Sequence, residues 1–304
     1  SVDEANLLSA TTEGTVTASI TTTESITELK TLTETTNAYT IVISSADATA
    51  TAADLSTVDG KTTARVDASA VTAISGTYDQ ITALYGYNIS AESYGFTGLG
   101  NENITLDENL DVTQANLIDN LTIGAITATI GNSRVSDLVG GTPLLNANNN
   151  NAYTIVISSE DAAVSASNLN TINDLTTVAV DLTNVTSITS SSLSDLGILG
   201  TAIGNSEFSN ATGLTTIAVS DTTIDATILA ATINSIDVIN GLNTTLMTLA
   251  SGATINIDAS EIATILGHET GSIAGGSRLT ISDQNIVVTG NISVDEANLL
   301  SATT

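Results

Sequence analysis

The sequence of 304 residues has no cysteine and no tryptophan, and it contains one proline, one histidine and five basic residues. Without cysteine, the chain has no disulfide, no thiolate metal site and no thiol nucleophile. The single histidine, His268, is predicted to lie in a solvated loop, because a zinc site needs several histidine or cysteine ligands. A Ser-His-Asp triad would have to use His268 as its base, and the residues around it do not resemble a nucleophile elbow. We therefore expect a protein that is not an enzyme.

The charge is strongly one-sided, with 33 acidic residues against five basic ones and a formal net charge of −28. The basic residues are scattered singly along the chain, at Lys30, Lys61, Arg65, Arg134 and Arg278. Because there is no basic patch, we expect no nucleic acid as a partner. Anionic membrane surfaces are disfavoured for the same reason, and no apolar run approaches the roughly 20 residues of a membrane span. We therefore expect no membrane insertion.

Aromatic residues make up only 3% of the chain, whereas hydrophobic residues make up 41%. This apolar share is too high for a disordered chain, so the protein must have a core, and that core must be thin and aliphatic. Sugar-binding clefts usually contain aromatic platforms, which two phenylalanines and six tyrosines scarcely provide. An acidic surface suits a salty medium or one rich in divalent cations.

The clearest positive feature is a repeat. Residues 1–12 read SVDEANLLSATT, and residues 293–304 have the same twelve letters. Two copies of a short motif inside one domain are the alternative explanation. We interpret residues 1–292 as one period of a tandem array and residues 293–304 as the start of the next period. The partner of the chain is then the chain itself, either as covalent continuation or as copies stacked head to tail.

A second repeat lies inside the chain. The phrase NAYTIVISS at 37–45 recurs at 151–159, and 22 of the 50 aligned positions of residues 37–86 and 151–200 are identical. The run Asn148–Asn151, which leads into the second copy, is typical of a polar turn. An asparagine ladder in stacked coils is the alternative.

Short β-like segments recur on a finer scale, several of them at steps of 22 or 23 residues. Aliphatic and polar residues alternate in them as in half-buried strands, for example in VTASI (16–20), AITATI (125–130) and TINID (254–258). Periods of 20 to 50 residues are typical of solenoids and repeat arrays.

Helix-like stretches separate the predicted strands, at EANLLSA (4–10), AADLSTV (52–58), QANLIDNL (114–121) and SASNLNTI (165–172). Capping-box spacing is found from Ser1 to Glu4 and from Thr77 to Gln80. Such short helices need a neighbouring coil to pack on. We predict a β-rich solenoid of parallel strands stacked in coils of about 23 residues, each with a short helix or arc. A pure parallel β-helix is the alternative.

Three phrases carry a resemblance to a known class of protein: GLGNENITLDENL (98–110), VDASAVTAISGT (66–77) and IDASEIATILG (257–267). With the [AS]-[ND]-L stretches, they resemble the giant repetitive cell-surface proteins of marine cyanobacteria and related bacteria. The resemblance implies an extracellular surface or filament protein with strand-and-turn tandem repeats. It implies no catalytic residues.

Calcium is the cofactor that the sequence favours. The proposed ligands each end a predicted strand, where stacked coils can share a hard cation through oxygen atoms, and they are Asp67, Asp181, Asp221, Asp258 and Asp283. Neither the calcium-binding nonapeptide nor an EF-hand loop is present. Solvated turn carboxylates are the alternative interpretation.

Taken with the tandem repeats, these features predict a non-catalytic structural segment of an extracellular filament or cell-surface layer. The stalk of a large bacterial adhesin is the second hypothesis, because its repeats would only hold a distant binding domain away from the cell. A solenoid polysaccharide-active enzyme and an ice-binding protein are more remote alternatives. Ice binding needs an unbroken threonine ladder, and Arg65, Ala179 and Ala218 interrupt it here.

Overall fold

The computed structural model describes residues 1–89, 95–140, 145–146, 150–237, 246–270 and 279–303. In these residues the chain is an α/β protein with mainly parallel sheets, the two largest of seven and five strands. The prediction of parallel strands separated by short helices is confirmed. The alternative of a pure parallel β-helix is wrong, because α-helices of eight to twelve residues lie between the strands.

The α-helices of the described residues are Val2–Ser9 (α1), Ile26–Leu29 (α2), Ala52–Asp59 (α3), Tyr78–Ile89 (α4), Val112–Asp119 (α5), Ala166–Asn173 (α6), Leu193–Gly204 (α7), Ala226–Asp237 (α8), Ile262–Thr270 (α9) and Val294–Thr303 (α10). Short 3₁₀ turns span Ser45–Asp47, Ala211–Gly213 and Ala259–Glu261, and a π-helical turn spans Ser136–Gly140. His268 lies in α9, so its predicted place in a loop is wrong.

The strands of the described residues are Thr17–Ser19 (β1), Ala38–Thr40 (β2), Thr49–Thr51 (β3), Val66–Asp67 (β4), Ala73–Gly76 (β5), Phe96–Thr97 (β6), Asn103–Leu110 (β7), Ile126–Ser133 (β8), Ala152–Ile157 (β9), Ala163–Ser165 (β10), Val180–Asp181 (β11), Ser187–Ser191 (β12), Phe208–Ser209 (β13), Thr216–Val219 (β14), Thr223–Asp225 (β15), Leu246–Thr248 (β16), Thr254–Asp258 (β17), Leu279–Thr280 (β18) and Asn285–Thr289 (β19). The order strand, strand, helix recurs along the chain, as in β4–β5–α4 and β11–β12–α7. The predicted coil had one strand, so its second strand was missed.

The chain folds into two compact units. Unit 1 comprises Ser1–Gly131 and Leu145–Thr154, and unit 2 comprises Asn132–Leu144 and Ile155–Thr304.

In unit 1, strands β3, β5, β7 and β8 follow one another as parallel neighbours. The register places the aliphatic side chains in line, so that Ile74 pairs with Ile104, and Ile104 pairs with Ile126. All three are buried, with at most 1% of their surface exposed. The alternation of core-facing and solvent-facing residues in the strands therefore builds a continuous aliphatic core.

In unit 2, strands β10, β12, β14, β16 and β18 form the five-stranded parallel sheet, and β15, β17 and β19 form a second one. One buried ladder of the five-stranded sheet runs through Val164, Ile188, Ile217, Met247 and Leu279. The predicted core of aliphatic residues is therefore confirmed in this unit too.

Coil length follows helix length. The eight-residue helices α5 and α6 lie in coils whose strands are joined by hydrogen bonds across 22 and 24 residues. The twelve-residue helices α4 and α7 lie in coils whose strands pair across 30 and 29 residues, as in Ala73 with Asn103 and Ser187 with Thr216. The sequence separation of paired strands is therefore 22 to 24 residues across the eight-residue helices, and it is longer across helices that have an added turn.

Both predicted capping boxes are present. At the start of α1, the Ser1 hydroxyl accepts from the Glu4 N–H and the Glu4 carboxylate accepts from the amino group of Ser1. At the start of α4, the Thr77 N–H donates to Gln80 Oε1 at 3.1 Å, and the Gln80 N–H donates to Thr77 Oγ1 at 3.3 Å. These reciprocal bonds satisfy amides that an isolated short helix leaves unpaired.

Candidate functional site

The five predicted calcium ligands occupy strand ends and the turns beyond them. Asp67, Asp181 and Asp258 are the last residues of β4, β11 and β17, as predicted. Asp221 and Asp283 do not end a strand, because β14 stops at Val219 and β18 at Thr280.

Three of these carboxylates are held by their own turn. Oδ1 of Asp181 accepts from the Thr183 N–H at 2.8 Å and from its hydroxyl at 2.6 Å. Asp258 Oδ1 accepts in the same way from the N–H and hydroxyl of Ser260, at 2.9 and 2.6 Å.

These bonds favour the charged carboxylates. The hydrogen bonds from Ser69 and Ser260 hold the pKa values of Asp67 and Asp258 below the usual range. Burial raises the pKa of Asp181, but hydrogen bonds from Thr183 and Asn210 outweigh that effect and leave it lowered. The three carboxylates are therefore ionised turn acceptors at neutral pH.

The strand register sets a hydroxyl residue beside each of the three aspartates that end strands. The pairs are Asp67 with Thr97, Asp181 with Ser209 and Asp258 with Thr289. Among the described residues, no group of three or more histidine, cysteine, aspartate or glutamate side chains is placed to hold a metal ion. Calcium binding by these aspartates stays a prediction.

A second use of carboxylates was not predicted: acidic side chains cap the helix of the preceding coil. Asp47 Oδ2 accepts from the Ile26 N–H at the start of α2, at 2.9 Å. Asp221 Oδ2 accepts from the Leu193 N–H at the start of α7, at 2.7 Å. We call these contacts coil caps, and they are made by Glu24 to Val2, Asp47 to Ile26, Glu108 to Tyr78, Asp161 to Val135 and Asp221 to Leu193.

The coil caps give the acidic composition a structural role. Each places a negative charge at a helix or helical-turn start, where free N–H groups and the helix dipole attract anions. The capping residue follows its helix start by 21 to 30 residues. The signal in the sequence for these five starts is therefore an acidic residue 21 to 30 residues later.

Two buried clusters centred on asparagine link successive coils in unit 1. In the first, the Asn37 amide donates to Ser9 Oγ and to Tyr39 Oη, both at 2.8 Å, and its oxygen accepts from the Val16 N–H. We call Ser9, Asn37 and Tyr39 the Asn37 cluster. It joins α1, the strand segment near Val16 and β2, which are distant in sequence.

The second cluster repeats this arrangement with a carboxylate. The Asn151 amide donates to Asp119 Oδ1 at 2.7 Å and to Tyr153 Oη at 3.0 Å, and its oxygen accepts from the Ile126 N–H. We call Asp119, Asn151 and Tyr153 the Asn151 cluster. Asn151 is only 2% exposed, so its predicted place in a polar turn is wrong; Asn148 and Asn149 lie outside the described residues.

The pKa of Tyr153 reflects the buried environment of this cluster. Burial raises the pKa of the Tyr153 hydroxyl, the nearby Asp119 carboxylate raises it further, and the hydrogen bond from Asn151 acts in the opposite direction. The net result is a pKa well above the usual tyrosine range. The hydroxyl is therefore neutral at neutral pH.

A groove of about 540 Å³ lies between α6 and α7 in unit 2. Glu207, which lines it, accepts from the side-chain amides of Asn173 at 2.7 Å and Asn205 at 3.2 Å. Both oxygens of this carboxylate are therefore engaged in holding the groove wall.

No helix in the part of the chain that the structure describes is long and apolar enough to cross a membrane. Comparison of the chain with protein-family models, with curated proteins and with solved structures found no match.

Proposed function

We propose that the chain is a non-catalytic structural segment of an extracellular filament or cell-surface layer built from tandem repeats. The observation that carries this proposal is the way in which successive coils complete one another. The coil caps and the Asn37 and Asn151 clusters bind residues of neighbouring coils to one another through side chains. Side chains used in this way serve cohesion along the chain.

The stacked coils form a solenoid in this proposal. Parallel pairing between strands one coil apart supports it, as in Ile104 with Ile126 in unit 1 and Ile188 with Ile217 in unit 2. Solenoids gain stability from contacts between neighbouring repeats, which suits a protein that extends by adding repeats. The partner of the chain is another copy of itself, joined covalently or stacked head to tail.

An adhesin stalk is the second candidate, because the same repeats would serve as a spacer. Electron microscopy of the native material separates the two. Ordered filaments or a lattice with many copies support the structural segment, and isolated whiskers that end in a knob support the stalk. Discrete, closed particles would contradict both. Denaturing gel electrophoresis then tells covalent continuation from stacking, because a continuous array migrates far above 30.7 kDa.

Calcium remains part of the proposal through the predicted ligands. A chain with a net charge of −28 is expected to gain stability from cations that bind only its folded state. We expect thermal unfolding at constant ionic strength to shift upward with calcium and to return after chelation. Asp181→Asn is the informative variant, with Asp3→Asn as its exposed control. Equal melting temperatures with calcium and with chelator would contradict a calcium role.

A further inference from the structure

The C-terminal strand and helix repeat an internal part of the chain. Residues 285–300 read NIVVTGNISVDEANLL, and residues 103–118 read NITLDENLDVTQANLI, with seven identical positions of sixteen. Both segments form a strand followed by a helix, which are β19 and α10 in the first case and β7 and α5 in the second. In the internal copy the chain continues into β8, which pairs with β7.

The N-terminal segment of the chain repeats the part of the internal copy that runs from α5 into β8. Residues 1–20 match residues 111–130 at nine of twenty positions, so that α1 and β1 correspond to α5 and β8. The β7–α5–β8 junction of unit 1 is therefore a template in which the equivalents of β19, α10 and β1 are already joined.

The two identical twelve-residue copies are buried on different sides. Val2 in α1 is 3% exposed, whereas its counterpart Val294 in α10 is 76% exposed. The order reverses six residues later, because Leu8 is 54% exposed and its counterpart Leu300 is 6% exposed. The equivalent of Leu8 in α5 is Ile118, which is fully buried. In the template Ile118 is buried and its neighbour on the same helix, Val112, is half-buried, so neither position is as exposed there as Leu8 or Val294 is in the terminal copies.

The backbone of β19 has a matching open edge. Asn285 N–H donates to Ala253 O, as Asn103 N–H donates to Thr72 O in the template. Since successive N–H groups of a strand point to opposite sides, Ile286 N–H faces away from β17. Its template equivalent, Ile104 N–H, donates to Ala125 O on the next coil. Among the described strands, β19 pairs with β17 alone and β1 with β2 alone.

We propose that β19 of one copy pairs in parallel with residues 16–20 of a second copy of this chain, with α10 taking the place of that copy's α1. The template sets the register as Ile286 with Val16, Val287 with Thr17, Asn291 with Ser19 and Ile292 with Ile20. The proposal rests on the proposed self-assembly and specifies its interface.

The interface also supplies the polar partners of α10. In α1, the Val2 N–H is capped by Glu24, and Asn6 Oδ1 accepts from the Thr33 N–H at 2.9 Å. In the second copy, Glu24 and Thr33 come to the equivalent places beside α10, opposite Val294 and Asn298. The same segment thus covers the exposed Val294 and completes the start of the helix.

A tandem chain of two copies tests this register. It is made by joining residues 13–304 to the C-terminus of residues 1–304, so that residues 293–304 of the first copy also serve as residues 1–12 of the second. Because the protein has no cysteine, one pair can be introduced cleanly. We expect Val287→Cys in the first copy and Thr17→Cys in the second to form a disulfide. The matched control replaces Thr17→Cys by Ala18→Cys, whose side chain points to the opposite face of the strand.

Amide exchange in the cysteine-free chains gives a second readout. We expect Ile286 N–H of the first copy to exchange at least about tenfold more slowly in the tandem chain than in the dilute single chain, because it gains a hydrogen bond. Asn285 N–H, bonded in both, is the internal control. Equal Ile286 exchange in both chains, or equal disulfide yield from Ala18→Cys, would overturn the register. If the register is overturned, filaments of native material would still support the proposed function. If native material forms no filaments, a successful cross-link would still support the register.

Discussion

The Asn37 and Asn151 clusters share an asparagine and a tyrosine that come from the same nine-residue phrase, but their third members differ. The amide of Asn37 meets the hydroxyl of Ser9, whereas the amide of Asn151 meets the carboxylate of Asp119. Asp119 has a further donor in the Asn146 side chain, at 3.2 Å. One backbone arrangement thus holds a neutral cluster in one coil and a charged cluster in another.

This difference shows which members of the three-residue clusters are needed for the structure and which can vary. The asparagine oxygen accepts a strand N–H in both clusters, from Val16 and from Ile126, and the tyrosine closes the other side. Those two roles fix the path of the chain. The third position needs only an acceptor, and a buried carboxylate there makes its donors more costly to remove.

The largest effect should come from removing the two asparagines. We expect Asn151→Ala to lower the free energy of unfolding by about 3 kcal/mol and Asn37→Ala by about 2 kcal/mol, since only the former strips a donor from a buried charge. Urea unfolding at neutral pH measures both. Thr127→Ala, on the exposed face of β8, is the control and should change stability by less than about 0.5 kcal/mol. Equal losses for the two asparagine variants would remove the distinction between the clusters.

A smaller effect should follow from changing the third member. Asp119→Asn is expected to cost about 2 kcal/mol, because one amide oxygen replaces two carboxylate oxygens that accept from Asn146 and Asn151. Ser9→Ala should cost about 1 kcal/mol, since it removes a single neutral bond. A double-mutant cycle of Asp119→Asn with Asn151→Ala should show a coupling of at least about 1 kcal/mol. Additive losses would argue against a direct bond.

The smallest effect concerns alkaline pH. Because the raised pKa keeps Tyr153 protonated in the folded state, its stabilising contribution is complete below about pH 10 and declines as the pH rises further. We expect a loss of roughly 1 kcal/mol between pH 9 and 11 that Tyr153→Phe removes. Unfolding curves at these pH values test it. An unchanged pH dependence in Tyr153→Phe would assign the loss to other groups.

Sequence patterns predicted four of the short helices and several of the strands. TINID at 254–258 is β17, and the four helix-like stretches are α1, α3, α5 and α6. One strand of most coils was missed; β3 and β10, for example, have only three residues and run directly into a helix. Thr51 and Ser165 end these strands and cap the helices that follow, so their composition indicates a cap and not a strand.

Local sequence patterns could not predict the carboxylate contacts, because the bonded residues are far apart in the sequence. The partner of Asp221 is the N–H of Leu193, 28 residues earlier, and that spacing depends on the length of α7. The burial of Asn151 depends likewise on Asp119, 32 residues earlier. A run of asparagines has the composition of a turn, and only contacts with residues distant in sequence make Asn151 a buried hydrogen-bonding partner.

The coil caps determine the order in which helices are capped along the chain. In every coil cap the carboxylate belongs to a residue 21 to 30 positions after the helix start that it caps. When the polypeptide emerges N-terminus first from a ribosome or a secretion pore, the helix that emerged last therefore has an uncapped first amide. That amide gains its carboxylate partner only when the next coil has emerged. Order then spreads toward the C-terminus with a lag of one coil. Shortening the chain from its C-terminal side would loosen the last remaining helix before any residue of that helix is removed.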